Sequence, residues 1–349
     1  MFSSCRATPY VLITTNNQHG MRVRDIIALS ILFAGVACQT TTKQEAQEQS
    51  TTTEEVSTPT TPTYEPGTRR MERVVGDIRT ITNIEELNYA IAHYWDGFDF
   101  ECKERVVEYD TVDICQALID YTTLVYPTGD FSPMRRLMER AEASREVLDF
   151  FTQICDMVLH DPNSPMRSDE LYIPVLEHLV VSPLLDEYDR LIPEHDLHIA
   201  KQNRLGHKAN NLSYTTATGK RGELYDIDAD YTLLMFNNPD CPACRMIIDG
   251  IMASPLMNEL QEMGRLKVMA IYPDADIEAW RRYLSKMPSR WIVGYDEGMK
   301  ITEAKSYDLR AIPSLYLLDS TKRVLIKDGV DVAHVENVIA LMESETTIR

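Results

Sequence analysis

Several patterns that mark common chemistries are missing from this 349-residue chain. It has no G-x-S-x-G, no Walker loop and no dinucleotide fingerprint, so nothing points to an acyl-transfer serine, a nucleotide phosphate cradle or a nicotinamide site. Positive charge is scarce: 35 Lys and Arg stand against 54 Asp and Glu, a formal net charge of −19. That balance argues against nucleic acid or an anionic membrane surface as a partner, since phosphate binding needs clustered cations. Cysteine stops at Cys244, and from residue 207 onward the only histidines are His207 and His334, too few to complete a zinc site in that half. His195-x-x-His198 lacks a nearby carboxylate-plus-cysteine set and reads as a solvated pair, so no metal site is expected. A hydrophobic fraction of 44% is nevertheless enough for real cores, and the length fits two domains.

The most informative segment present is Cys241-Pro242-Ala243-Cys244, between the apolar run 231–236 and a helical pattern starting at Arg245. The run reads as a buried strand and Asn237-Asn238-Pro239-Asp240 as a turn. Two thiols then lie in the first turn of a helix, close enough for a small disulfide. Unpaired backbone N–H groups and the positive end of the helix dipole favour a thiolate there. Cys241 is the expected nucleophile. Cys244, one turn further in, is the expected resolving thiol that attacks a mixed disulfide. The same spacing also serves as a structural bridge or as half of a zinc site.

Residues 306–319 read as a helix end, an X-Pro junction at Ile312-Pro313 and a strand. A proline entering a strand marks either a special backbone such as a cis bond or an ordinary trans edge-strand proline. Together, strand–CPAC–helix and Ile312-Pro313 resemble the thioredoxin fold. The 72 residues from Cys241 to Pro313 leave room for an extra strand–helix–strand passage, filled by residues 266–272, 276–287 and 291–294. This layout is similar to the TlpA/ResA-like branch of thioredoxin-like proteins, over about residues 210–349. The resemblance implies that Pro313 is a cis-proline facing the disulfide, that the Ile312 backbone pairs with bound substrate, and that no cofactor is needed beyond the Cys241–Cys244 disulfide.

The chain also departs from that family. A tryptophan usually precedes the first cysteine, whereas Asp240 stands here, and a carboxylate beside the sulfur opposes thiolate formation. Pro242 and Ala243 complete the tuning positions, and alanine adds no cation or donor for a thiolate. The carboxylate that thioredoxins carry in the preceding strand falls at Met235, and the early-helix glutamate of ResA-like proteins falls at Ile247. The proton of Cys244 then passes to Asp240 or to water, or exchange is slow.

At the N-terminus, residues 1–20 fit no signal, which suggests Met21 as the true start. A basic stretch at 21–24, an apolar run at 26–34 and Gly35-Val36-Ala37-Cys38 resemble a bacterial lipoprotein signal over 21–38, with Cys38 as the lipidated residue and Gly35 in place of the usual leucine. The apolar run is too short to span a bilayer comfortably. Residues 39–68, rich in Thr, Glu, Gln and Pro, read as a disordered tether.

Residues 69–205 carry helical periodicity, with Val147, Leu148, Phe151, Ile154, Cys155 and Val158 on one stripe and Pro174 expected in the first turn of a later helix. The segments 94–100, 161–167, 173–177 and 203–206 resemble a domain of unknown function that precedes thioredoxin-like domains in Gram-negative envelope lipoproteins. Cys102, Cys115 and Cys155 read as buried free thiols, with a Cys102–Cys115 bridge as the exception to test. The expected fold is therefore an α/β thioredoxin-like C-terminal domain preceded by an all-α N-terminal domain. The expected activity is thiol-disulfide exchange, on the reducing side, with exported protein thiols or disulfides and an unidentified redox partner. The setting is the cell envelope facing the periplasm, with a lipid anchor in the membrane. A non-enzymatic binding module with a structural disulfide is the alternative.

Overall fold

The computed structural model describes residues 65–347 apart from residue 330. Residues 1–38, with Cys38, and most of the tether lie outside the described residues.

The N-terminal part is built from the helices Ile84–His93, Thr111–Val125, Ser132–Ala141, Arg145–Cys155, Asp169–Leu179 and Glu187–Ala200. Asn83, Asp110, Ser144, Ser168 and Asp186 cap five of them, their side-chain oxygens accepting backbone N–H groups, at about 1 kcal/mol per cap. The stripe on Arg145–Cys155 is buried as its spacing demands. Phe151 sits at the centre of an aromatic cluster, its ring 4.9–5.5 Å from those of Trp95, Phe98 and Phe100. The aromatic segment 94–100 is thus core. Gly97 lies there because a Cβ would come within 1.9 Å of the Glu72 carbonyl oxygen.

Pro174 differs from expectation. The helix begins at Asp169 behind the Ser168 cap, so Pro174 is its sixth residue and sits in the second turn.

The C-terminal part is a seven-stranded sheet in the order β2-β1-β5-β4-β3-β6-β7. Its strands are β1 Ser213–Thr216, β2 Arg221–Glu223, β3 Tyr231–Phe236, β4 Leu266–Tyr272, β5 Ile292–Tyr295, β6 Ser314–Asp319 and β7 Val324–Gly329. β3, β4 and β5 are parallel, and β6 runs antiparallel beside β3. Strand alternation then sorts side chains to two faces. Leu233, Met235, Leu315 and Leu317 pack with Cys244, Ile248 and Val338 on one. Leu234, Phe236, Tyr316 and Leu318 pack with Tyr307 on the other.

The helical core draws on residues from Met71 to Ala200, and the cores of the sheet on residues from Ala209 to Ile339. Between them, Gly206 N–H donates to the Val324 carbonyl at 2.8 Å and Val324 N–H to the His207 carbonyl at 2.9 Å. The connecting segment thus pairs with β7 and covers a sheet edge that would otherwise be open.

Candidate functional site

The helix Pro242–Ala253 starts three residues before the sequence pattern suggests, and the turn chemistry explains why. Asp240 takes a left-handed conformation with φ 56, which Asp tolerates better than most residues. Cys241 is then the extended N-cap residue, and its sulfur accepts the Cys244 N–H at 3.1 Å. Pro242 fills the first helical position, where a missing N–H costs nothing.

The two sulfurs are bonded to each other, with Cα atoms 5.2 Å apart, inside the range a disulfide requires. Cys244 is fully buried between Met235, Ile248 and their neighbours, while Cys241 is half-exposed. Pro242 and Ala243 are exposed, as is Met246 one turn on, so one side of the accessible rim of the disulfide is apolar. Across the rim the Ile312 carbonyl oxygen lies 3.9 Å from Cys241 Sγ, and the Ile312–Pro313 bond is cis. The structure therefore brings Cys241, Cys244, Ile312 and Pro313 into one place from two segments about seventy residues apart.

Asp240 sits at the same rim but is not alone. Its side chain is 85% exposed and pairs with Lys286 Nζ at 3.3 Å. Lys286 ends the short turn Leu284–Lys286, and its carbonyl accepts from Arg245 Nη1 at 3.3 Å, which ties that turn to the Pro242–Ala253 helix. The cation offsets the carboxylate beside Cys241. Sequence reading missed Lys286 because 46 residues separate the pair. Met235 and Ile247 are buried where the family resemblance places carboxylates.

On the other side of Ile312, the approach to β6 is held by charge. Asp308 accepts from Arg310 N–H at 3.0 Å and from its guanidinium at 2.6–3.1 Å. Burial by itself would raise the Asp308 pKa. The hydrogen bonds and charge of Arg310, then the charge of Arg167, overcome that and hold it down at about 2.

Cys102, Cys115 and Cys155 are free. Burial pushes each thiol up, Cys102 to about 11, opposite to what a nucleophile needs. Among the described residues no three His, Cys, Asp or Glu side chains form a metal-holding group, and no helix is long and apolar enough to cross a membrane.

Residues 37–203 match a family described as a domain of unknown function, DUF5106. No curated protein matches the chain. Among solved structures, a thioredoxin-like protein from Bacteroides caccae is 35% identical, covering 78% of this chain and 99% of that one with a TM-score of 0.71. The C-terminal domain of an uncharacterized protein from Bacteroides fragilis is 46% identical over 40% of this chain and 98% of its own, with a TM-score of 0.39. A domain of a possible thiol-disulfide isomerase from Cytophaga hutchinsonii is 25% identical over 43% of this chain and 99% of its own, with a TM-score of 0.36. With more than one-third identity over nearly all of the first of these neighbours, and with a sheet that sets a C-x-x-C helix against an Ile-Pro strand entry, this chain belongs to the thioredoxin-like proteins.

Proposed function

We propose that this protein is a thiol-disulfide oxidoreductase of the bacterial cell envelope that exchanges disulfides with exported proteins through Cys241 and Cys244. The observation that carries this reading is the pairing of a half-exposed sulfur at a helix N-terminus with a backbone carbonyl 3.9 Å away. An extended peptide laid along Ile312 by strand-like hydrogen bonds would bring its own sulfur to Cys241. The Cys241 thiolate attacks one sulfur of the substrate disulfide, and the other leaves as a thiolate. Cys244 then attacks the Cys241 sulfur, releasing the second substrate thiolate and closing the Cys241–Cys244 bridge. Two electrons pass to the substrate, and a separate dithiol donor must restore them. No cofactor is required, because all four reacting atoms are sulfur. Lipidation at Cys38 and the tether would hold the enzyme at the membrane facing the periplasm.

Ala243 offers a thiolate no donor, which supports the reducing direction. Reduction predicts a two-electron equilibrium with a midpoint between about −300 and −200 mV. Titrating the chain in dithiothreitol buffers and weighing alkylated species measures it. A bridge that opens only when the protein unfolds would refute exchange. That outcome supports the second reading, a binding module with a structural disulfide, which the apolar Met235 and Ile247 favour.

A further inference from the structure

The loop at residues 161–167 marks the helical domain in the sequence, yet nothing in the exchange chemistry uses it. Hydrogen bonds tie it back to the preceding turn: Ser164 Oγ donates to the Val158 carbonyl at 2.5 Å, and Ser168 N–H donates to the Leu159 carbonyl at 3.0 Å. From its end Arg167 Nη2 reaches Asp308 Oδ2 at 2.7 Å and Asp328 Oδ2 at 3.0 Å. His160, just before the loop, contacts the Arg310 guanidinium and lies 3.5 Å from Asp196. Asp308 and Arg310 are four and two residues before Ile312. At 3.8 Å per residue the Arg310 Cα lies within about 8 Å of the Ile312 Cα. Asp328 joins from β7, accepting from Ser314 Oγ at 3.2 Å and from the Tyr316 hydroxyl, so the first residues of β6 are tied to the same cluster. Lys327 adds a parallel bond to Asp169 at 2.6 Å and to the Ala200 and Gln202 carbonyls at 3.0 and 2.7 Å.

Position decides what this cluster can do. Arg167 is 14% exposed and Asp308 3%, so solvent and salt screen the pair little. Two helices' worth of contacts could have docked anywhere on the sheet. They converge on the segment that leads into Ile312 and on β7, whose Asp328 in turn holds the first residues of β6.

We propose that the helical domain is the positioning element of the substrate-binding edge: Arg167, assisted by His160, holds Asp308 and Arg310 so that the Ile312 backbone is presented in register beside Cys241. The inference rests on the exchange reading above and assigns the helical domain a part in it. A peptide substrate depends on that edge. A small disulfide, which needs only the half-exposed sulfur of Cys241, does not.

The test compares two oxidants on the reduced full chain: a disulfide-bonded peptide and glutathione disulfide. Arg167→Ala is expected to raise KM for the peptide about tenfold, while peptide kcat and the glutathione rate stay within about twofold of wild type. Arg167→Lys keeps a charge but on a shorter side chain without the planar guanidinium whose Nη2 meets both carboxylates, and it should fall between. If Arg167→Ala does not fold, the lysine variant decides alone. An unchanged peptide KM in a folded variant, or equal losses on both oxidants, overturns the inference and leaves the exchange reading standing. A wild-type chain inert towards both oxidants removes the exchange reading and the inference with it.

Discussion

Neutralising Asp308 tests the charge cluster beside Ile312 with a magnitude that follows from its surroundings. In the folded chain its carboxyl titrates at about 2 against an ordinary 3.8, because Arg310 and Arg167 outweigh its burial. That gap corresponds to about 2.4 kcal/mol of folding stability. The folded pKa is depressed, so the contribution is fully present above pH 3.8 and is lost as pH falls through about 2. Asp308→Asn removes it at every pH. Urea unfolding at pH 7 should therefore show the variant about 2–3 kcal/mol less stable, and the difference should shrink as pH approaches 2 and the wild-type carboxyl takes up its own proton. The three tryptophans report on both parts. Trp95 is buried in the helical core, and Trp280 and Trp291 are buried in the sheet domain. Asp308 belongs to the sheet domain and pairs with Arg167 of the helical part, so the summed tryptophan signal follows the loss in both. A difference below about 0.5 kcal/mol, or one equally large at pH 7 and near pH 2, would refute the reasoning, because the ion pairs would then contribute no more than exposed ones do.

Four further outcomes are expected. Cys244→Ser should accumulate mixed disulfides through Cys241 in envelope extracts, whereas Cys241→Ser should accumulate almost none; equal trapping by the two would place the nucleophile wrongly. Asp240→Asn should speed alkylation of reduced Cys241 at pH 7 and Lys286→Ala should slow it, each about two- to threefold, with the double variant near wild type. Because the Asp240 side chain is exposed and Cys244 is buried, decay of a preformed mixed disulfide should not change in Asp240→Asn, and slower decay would make Asp240 the proton acceptor for Cys244. Mass spectrometry of the mature N-terminus should find lipid on Cys38, and Cys38→Ser should release the chain from membranes; an unlipidated chain starting at Met1 or Met21 would exclude the anchor.

Much of the architecture was legible because its causes are local. The apolar runs 231–236 and 266–272 are strands over those same residues, and the stripe from Val147 to Val158 is buried. Residue type and spacing within a few positions decide such features. So do the caps: the Cys241 sulfur and Pro242 start a helix by their own chemistry. Local reading faltered at boundaries, at the onset near Arg245 and at Pro174, where a cap a few residues upstream set the start. The partners of charged groups were out of reach. Lys286 meets Asp240 across 46 residues, and Arg167 meets Asp308 and Asp328 across 141 and 161. No periodicity links such pairs, and each charge alone reads as an ordinary surface residue. The sequence by itself determined a C-x-x-C at the head of a helix on a thioredoxin-like sheet. Only the tertiary structure decided what surrounds it, because burial gives those distant charges their partners and their strength.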